Sequence, residues 1–400
     1  MEFEKLRQFY QGKRVLLTGH TGFKGSWLTM LLSLLGAEVY GYALCPPTKP
    51  SLFELLFGEG AGQESRRDLW MQEGAADSAF QERKGTPLGL RESCIGDIRD
   101  FSALRALYQR VQPEIVLHLA AQPIVLESYR VPRETYETNV MGTVNLLECL
   151  RLFPGCGSFL NVTTDKVYRN EEKPGYGYRE EDQLDGYDPY SNSKSCSELV
   201  THSYRSAFLE AAGVAVSTAR AGNVIGGGDF AADRILPDCV RAAEAGRTVQ
   251  VRNPFSTRPY QHVLEPLLVY LTIAMLQAEP GGQERYAGWY NVGPDDCDCV
   301  TTGELVGLFA KHWGSGFSWE GLQAQGRDGA QAKAPHEANF LKLDNTKAKQ
   351  WLGWKPVWHI DEAVAATAAW SKAWLAGGAE AANAELLRQM EQYLEQSQSA

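Results

Sequence analysis

Short apolar runs alternate with helix-length segments through the first half of the chain. The runs at 14–18 (RVLLT), 38–42 (EVYGY), 115–120 (IVLHLA) and 159–163 (FLNVT) have the length and branching of buried strands. Between them, 26–35 and 139–150 have the length and spacing of helices. That rhythm predicts βαβ units: an α/β fold with a doubly wound parallel sheet and helices on both faces. Ligands of such a sheet bind beyond the C-terminal ends of its strands.

After one more strand at 214–219 the rhythm breaks at Gly226-Gly227-Gly228, and Pro and Arg become frequent. A second, smaller substrate-binding domain is expected from about Gly222. The run 289–292 (WYNV) reads as a strand returning to the first sheet, 301–312 and 361–375 as helices, and 379–400 as a polar helical tail rich in Gln, Glu and Ala. The expected organisation is a cofactor domain at 1–222 with a returning strand near 286–293, a second domain at 223–285 and 294–378, and the tail. Residues 57–90 read as an insertion, where six glycines argue against an ordered core element. An inert surface loop and a lid over the adenosine edge of the cofactor site both remain open.

With 44% hydrophobic and 22% charged residues the chain can bury a large core. Its net charge of −10 provides no global attraction for nucleic acid or anionic lipid. The longest apolar stretch, 27–35, is far shorter than the roughly 20 residues of a membrane helix, and the acidic start lacks a signal-peptide pattern. A cytoplasmic protein without nucleic-acid or membrane partners is expected. The eight cysteines are mostly scattered, as in a reduced protein. The pair in Cys297-Asp298-Cys299 has no second pair or neighbouring His to complete a metal site, so no metal is expected.

Gly19-His20-Thr21-Gly22-Phe23-Lys24-Gly25 follows a strand and opens a helix. Glycines there let backbone N–H groups meet a pyrophosphate at the helix N-terminus, the Rossmann arrangement for a dinucleotide. The acidic residue that would hold the ribose 2′-OH is missing from Gly41-Tyr42-Ala43-Leu44, which leaves NAD against NADP undecided at that position. Tyr190 and Lys194 stand four residues apart, one helical turn, so the ammonium is expected to lower the phenol's pKa and make it a base for carbonyl/alcohol redox chemistry. His118, inside an apolar strand, is expected to be a satisfied core histidine, and Arg241 and Arg252 to be surface residues.

At these motifs the sequence resembles the extended short-chain dehydrogenase/reductase family and, within it, the CDP-glucose 4,6-dehydratases. The resemblance runs through TGHTGFKGSWL (18–28), GDIRD (96–100), HLAAQP (118–123), ETNVMGTVNLLE (137–148), NVTTDKVY (161–168), DPYSNSK (188–194), ARAGNVIGGGDF (219–230), RPYQHVLEP (258–266) and PHEANFLKLD (335–344). It implies NAD as cofactor and CDP-glucose as substrate: C4 is oxidised, water leaves across C5 and C6, and the hydride returns to C6. A C4 ketone is what makes the C5 proton removable. By position, Tyr190 becomes the base at the C4 hydroxyl, Lys194 its partner at the nicotinamide ribose, Thr164 the donor to the C4 oxygen and Asp165 the acid for the departing C6 hydroxyl. Lys166 stands where related dehydratases carry Glu. Either it loses its proton and serves as the C5 base, the reading slightly favoured here, or it stays charged and stabilises the enolate.

The same resemblance places Gly19, Thr21, Gly22, Phe23, Lys24 and Gly25 at the cofactor's pyrophosphate, Asp97 and Ile98 at the adenine, and Ala120, Ala121 and Gln122 along the nicotinamide side. Asn223, Arg234, Arg258 and His262 are the candidates for the substrate's sugar and diphosphate, Arg suiting diphosphate through its planar fork. A homodimer or homotetramer is implied, through helices near 139–150 and 190–211. The alternatives are another nucleotide-sugar dehydratase, a 4-epimerase, which needs no group to expel the C6 hydroxyl, or a non-catalytic NAD(P)-binding regulator, which would usually lack Tyr190.

Overall fold

The six apolar runs become strands of one parallel sheet in the computed structural model, which describes residues 3–58, 90–321 and 340–399. The strands are β1 (Arg14–Thr18), β2 (Glu38–Ala43), β3 (Leu90–Ile95), β4 (Ile115–His118), β5 (Ser158–Thr164), β6 (Ala215–Ala221), β7 (Asn223–Ile225), β8 (Val249–Val251), β9 (Thr257–His262), β10 (Trp289–Val292), β11 (Cys299–Thr301) and β12 (Trp319–Gly321). The large sheet runs β10-β6-β5-β4-β1-β2-β3. All its pairings are parallel, and Trp289–Val292 pairs with β6 as expected of the returning strand. β3 is the strand the apolar pattern missed: LRESCI alternates too weakly to stand out. The insertion expected at 57–90 lies almost wholly outside the described residues.

Each face of the sheet carries its own core. On one, Leu104, Leu107 and Val111 pack with Leu146, Leu147 and Leu150. On the other, Trp27, Leu28 and Leu31 pack against the helix Leu264–Ala278. That helix is apolar on nearly every side because it is buried on nearly every side. Gln277 anchors its end by bonding Ser158 Oγ at 2.7 Å and accepting from Ser217 Oγ at 2.5 Å, on two neighbouring strands of the large sheet. Residues 264–278 therefore pack with the large sheet rather than with the expected second domain at 223–285.

The smaller unit is built on β11-β9-β7, with β8 and β12 as a separate pair. Its core joins Ile225, Leu236, Tyr260, Leu305 and Phe309 to Ala363 and Val364 of the C-terminal segment. Ile360–Ser399 is helical with a break at Gly378, whose φ of 62° reverses the chain. The second arm folds back on the first, Gln389 Nε2 reaching Ala366 O at 2.9 Å. The expected polar tail thus has a buried stripe, Ala382, Leu386, Met390, Tyr393 and Leu394, in the same core as Trp27 and Leu267.

Candidate active site

The glycine-rich turn is shaped by what crowds it. Gly19 has a φ of +77°, and a Cβ there would sit 2.8 Å from Ala120 N. A Cβ on Gly25 would press into the Gly19 carbonyl oxygen and His20 Cα. The turn therefore lies flat between β1 and β4 and leads into the helix Phe23–Leu34 with Gly22 as its extended N-cap. With Gly22 as N-cap, no side chain caps these first backbone N–H groups, which fit a pyrophosphate. Thr21 donates to Leu44 O at 2.8 Å and pins the end of β2. Beyond the end of β3, Asp97 is held by Arg99 (2.6 Å), and Ile98 O accepts from Asn145. Beside Ala120 and Ala121, Gln122 N donates to Asn139 Oδ1 at 2.8 Å.

The helix Pro189–Tyr204, which carries Tyr190 and Lys194, starts where its residues dictate: Asp188 caps it, accepting from Ser191 N at 2.9 Å, and Pro189 occupies the first turn. This brings Tyr190 and Lys194 to the end of β5, where Thr164, Asp165 and Lys166 leave the sheet. Thr164 Oγ1 donates to Asp165 Oδ1 at 2.9 Å, and Lys166 Nζ donates to the same oxygen at 3.0 Å and to Asn223 Oδ1 at 3.2 Å. Asp165 is fully buried, and its Oδ2 has no hydrogen-bond partner. Lys166 is thus a hydrogen-bond donor to two oxygens, one on each side of the cleft.

The expected depression of the Tyr190 phenol is not what the structure has. Burial pushes it up to about 12, with the Thr164 hydroxyl working downward, and Lys194 bonds Val162 O at 3.1 Å. Burial also brings Lys194 down to about 8 against the pull of Glu198. Lys24 descends from the glycine turn into the same space, brought to about 7 by burial and by repulsion from Arg234, Lys194 and Lys166. Four basic side chains thus converge around one buried carboxylate in a protein of net charge −10, a local surplus of basic groups suited to an anion.

Of the substrate candidates, Asn223 and Arg234 face this space, Arg234 also pairing with Asp229 at 2.8 Å. Arg258 is buried in β9, one nitrogen donating to Thr257 O. His262 is not brought to the cleft: it is wholly buried, its ring 5.7 Å from Trp27 and 4.8 Å from Trp358, and burial drives it down to about 3. His118 is a core histidine with both nitrogens partnered, by Thr18 and Thr143. The loop near Cys297 gains a His that spacing could not show, because His359 Nδ1 lies 2.8 Å from Asp298 Oδ2. That carboxylate also accepts from Ile360 N, and the arrangement caps the C-terminal helix.

Two site residues escaped sequence reasoning. His20, inside the glycine turn, bonds Ser93 Oγ at 2.7 Å, and its ring fills the place a Cβ of Gly41 would need. Asn139 ties the segment after β4 to the helix Pro189–Tyr204, donating to Gln122 O and to Ser193 Oγ. Neither residue stood out along the chain: Asn139 is one of several polar residues in ETNVMGTVNLLE, and His20 had no signal beyond its place in the turn.

Comparisons with known proteins agree with this geometry. Residues 91–367 match the model of the GDP-mannose 4,6 dehydratase family. A CDP-glucose 4,6-dehydratase of Salmonella typhimurium is 45% identical over 376 residues, covering 93% of this chain and 94% of the relative. Among solved structures, an epimerase from Methanothermobacter thermautotrophicus superposes with a TM-score of 0.70 at 20% identity, covering 93% of this chain and 96% of that one. The dTDP-glucose 4,6-dehydratase of Streptomyces venezuelae, solved with NAD bound, superposes at 0.67 and 23% identity over 90% of this chain and 97% of that one. These two show the shared fold. Identity of this extent over nearly the whole of both chains, with the Thr164-Asp165-Lys166 segment set opposite Tyr190 and Lys194, makes the chain a member of the CDP-glucose 4,6-dehydratase family within the extended short-chain dehydrogenase/reductases.

Proposed function

We propose that the chain is an NAD-dependent hydro-lyase that converts CDP-glucose to CDP-4-dehydro-6-deoxyglucose and water. The observation that carries this reading is the Asp165–Lys166 pair at the end of β5, opposite Tyr190. An epimerase has no leaving hydroxyl to protonate and no use for such a pair. Held at the glycine turn, NAD would supply the acceptor for the C4 hydride and the hydride that C6 regains.

The protein's own residues do the rest. Tyr190 takes the proton of the C4 hydroxyl, with Thr164 donating to the same oxygen. Lys194, charged, holds the nicotinamide ribose, while the Thr164 hydroxyl and Arg234 favour the phenolate against burial. Substrate closing over Asp165 and Lys166 excludes water, which penalises two charges far more than two neutral groups. A proton then passes along the 3.0 Å Lys166–Asp165 hydrogen bond. The shift leaves an amine to remove the C5 proton and a carboxylic acid to protonate the leaving C6 hydroxyl. After elimination Lys166 is again an ammonium and Asp165 a carboxylate; as C6 regains the hydride Lys166 returns a proton to C5, and the proton that Tyr190 took from the C4 hydroxyl replaces it, so the protons balance over the cycle.

Asn223, Arg234 and Arg258 are proposed to hold the sugar and diphosphate, and Gly19 to Gly25, Asp97, Ile98 and Ala120 to Gln122 the NAD. Exposed Met141, Leu152, Leu199 and Phe208 lie on helices around the expected 139–150 and 190–211 interface and support a homodimer or homotetramer. The described residues contain no helix long and apolar enough to cross a membrane. The eight free cysteines support a reducing, cytoplasmic setting. Purified protein mixed separately with CDP-glucose, dTDP-glucose, UDP-glucose and GDP-mannose tests the reading. A 4-keto product from CDP-glucose alone is expected, and turnover of another sugar nucleotide instead would overturn the substrate.

A further inference from the structure

Behind the catalytic helix lies a buried polar group that the proposed reaction does not use. Glu198, one turn beyond Lys194, is fully buried. Its Oε1 accepts from Thr163, the residue before Thr164, and its Oε2 from Thr218 at 2.7 Å and Arg220 at 2.9 Å, with His202 at 3.3 Å. Arg220, 1% exposed, donates from its other nitrogen to Tyr168 OH (2.8 Å) and Glu180 O (2.9 Å), and Tyr168 passes a hydrogen bond to Asn291. One carboxylate thereby joins the catalytic helix to β5, β6 and, through Arg220 and Tyr168, to β10. A buried ion pair is a poor way to stabilise a core, since apolar residues of the same volume commonly do as well or better. Its place directly behind Lys194 points to another reason.

The charges around Lys194 supply it. On its own helix stand Tyr190 and Glu198, at the end of β5 Asp165 and Lys166, on the glycine turn Lys24, on β4 His118, on β6 Arg220, and before the helix Ile235–Glu244 Arg234. Most are cationic or neutral, and Asp165 is already engaged by Lys166. Burial works against the Lys194 ammonium, and Glu198 is the charge that works for it. Glu198 itself stays ionised: burial opposes this, but Arg220, His202 and Thr163 bring its carboxyl down to about 2.

We propose that Glu198 is a positioning residue for this active site: from the face of the helix behind Lys194 it keeps that lysine charged, and through Thr163 it fixes the end of β5 that carries Thr164, Asp165 and Lys166. The proposal rests on the dehydratase reading for its effect on turnover, but its effect on Lys194 is independent of it. Glu198→Gln keeps the shape and removes the charge. The alkaline limb of kcat is expected to move toward lower pH by about one unit, with about a tenfold loss above that limb, and little change in KM for CDP-glucose. Glu198→Asp, which keeps the charge on a shorter arm, should restore the limb in part. Where Arg220 left unpaired prevents folding, the double variant Glu198→Gln with Arg220→Gln removes both charges and is titrated instead.

A second readout needs no turnover: in protein labelled with 13C at lysine Cε, the Lys194 signal, assigned with Lys194→Met, should titrate at lower pH in Glu198→Gln. Absence of turnover in the parent enzyme with CDP-glucose would strike the activity and leave this titration standing. A folded Glu198→Gln whose Lys194 titrates as in the parent, with kcat reduced equally at every pH, would overturn the proposal and leave Glu198 a structural ion pair.

Discussion

Lys166 Nζ lies 3.2 Å from Asn223 Oδ1, joining the end of β5 in the large sheet to the first strand of the small one. Asn223 accepts a proton-bearing nitrogen, as Asp165 does, so both neighbours orient Lys166 as a donor in the resting site. Lys166→Met and Tyr190→Phe should therefore fail at different steps. Without the phenol no hydride leaves C4. Without Lys166, C4 is oxidised but elimination stalls, so enzyme mixed with NAD and CDP-glucose should accumulate bound NADH, seen by its absorbance. A rate loss of about 10² to 10⁴ is expected for Lys166→Met. Normal turnover of Lys166→Met, or NADH accumulation in Tyr190→Phe rather than in it, would separate the residues from these steps.

The same substitution at two glycines should have opposite signs. Alanine at Gly25 must displace Gly19 and His20 backbone, so Gly25→Ala is expected to cost about 1–3 kcal/mol and to weaken NAD binding more than tenfold. Gly307, inside the helix Thr302–Trp313, has nothing near its absent Cβ, so Gly307→Ala should stabilise by about 0.5–1 kcal/mol. Calorimetric titration with NAD and thermal melting check both.

Glu265 provides a pH dependence of stability. Its Oε1 accepts from Val357 N and Trp358 N, and burial pushes the carboxyl up to about 7, with Trp358, Tyr393, Val357 and Trp354 working downward. Because the folded state holds this proton more tightly than the unfolded chain, the contribution is complete below the ordinary value of 4.5 and is lost as pH rises through about 7. Its size is about 3 kcal/mol. Glu265→Gln keeps the acceptor and cannot ionise, so the Tm difference between variant and parent should grow in the variant's favour from pH 5 to pH 8. A difference constant with pH would remove Glu265 from the account.

The C-terminal arm should be indispensable to stability. Leu386 is fully buried against the large sheet's outer core, so Leu386→Ala is expected to cost about 2–5 kcal/mol in denaturant unfolding. A solvated tail would lose nothing measurable.

Leu199 is 53% exposed and Met141 51% on the helical face proposed for self-association. A Leu199→Glu, Met141→Glu double variant should sediment as a monomer at concentrations where the parent is larger. An unchanged sedimentation coefficient would place the interface elsewhere.

Much of this molecule is determined locally, and local sequence was enough to show it. The apolar runs at 14–18, 38–42, 115–120, 159–163, 214–219 and 289–292 are buried on both faces of the sheet, so their composition alone marks them as parallel strands. The glycine turn and the Tyr190–Lys194 spacing are likewise local, set by φ at Gly19 and by one turn of a capped helix. Motif resemblance added the roles of Thr164 and Asp165. What tertiary structure decided are the long-range neighbours, because burial and hydrogen-bond partners are properties of packing that spacing does not encode. His262, which motif position put at the substrate, is enclosed by Trp27 and Trp358 from distant segments. Lys166 meets Asp165 and Asn223 together, from two different sheets. Tyr190 is raised by the surroundings that bury it, although Lys194 stands one turn away. The polar-looking tail hides a stripe that is apolar only every third or fourth residue, a pattern that becomes core once Gly378 turns it back onto Leu267 and its neighbours. Glu198 and Arg220, two more charges in their segments when read along the chain, become an ion pair behind the catalytic lysine only when the Tyr190 helix is laid across β6.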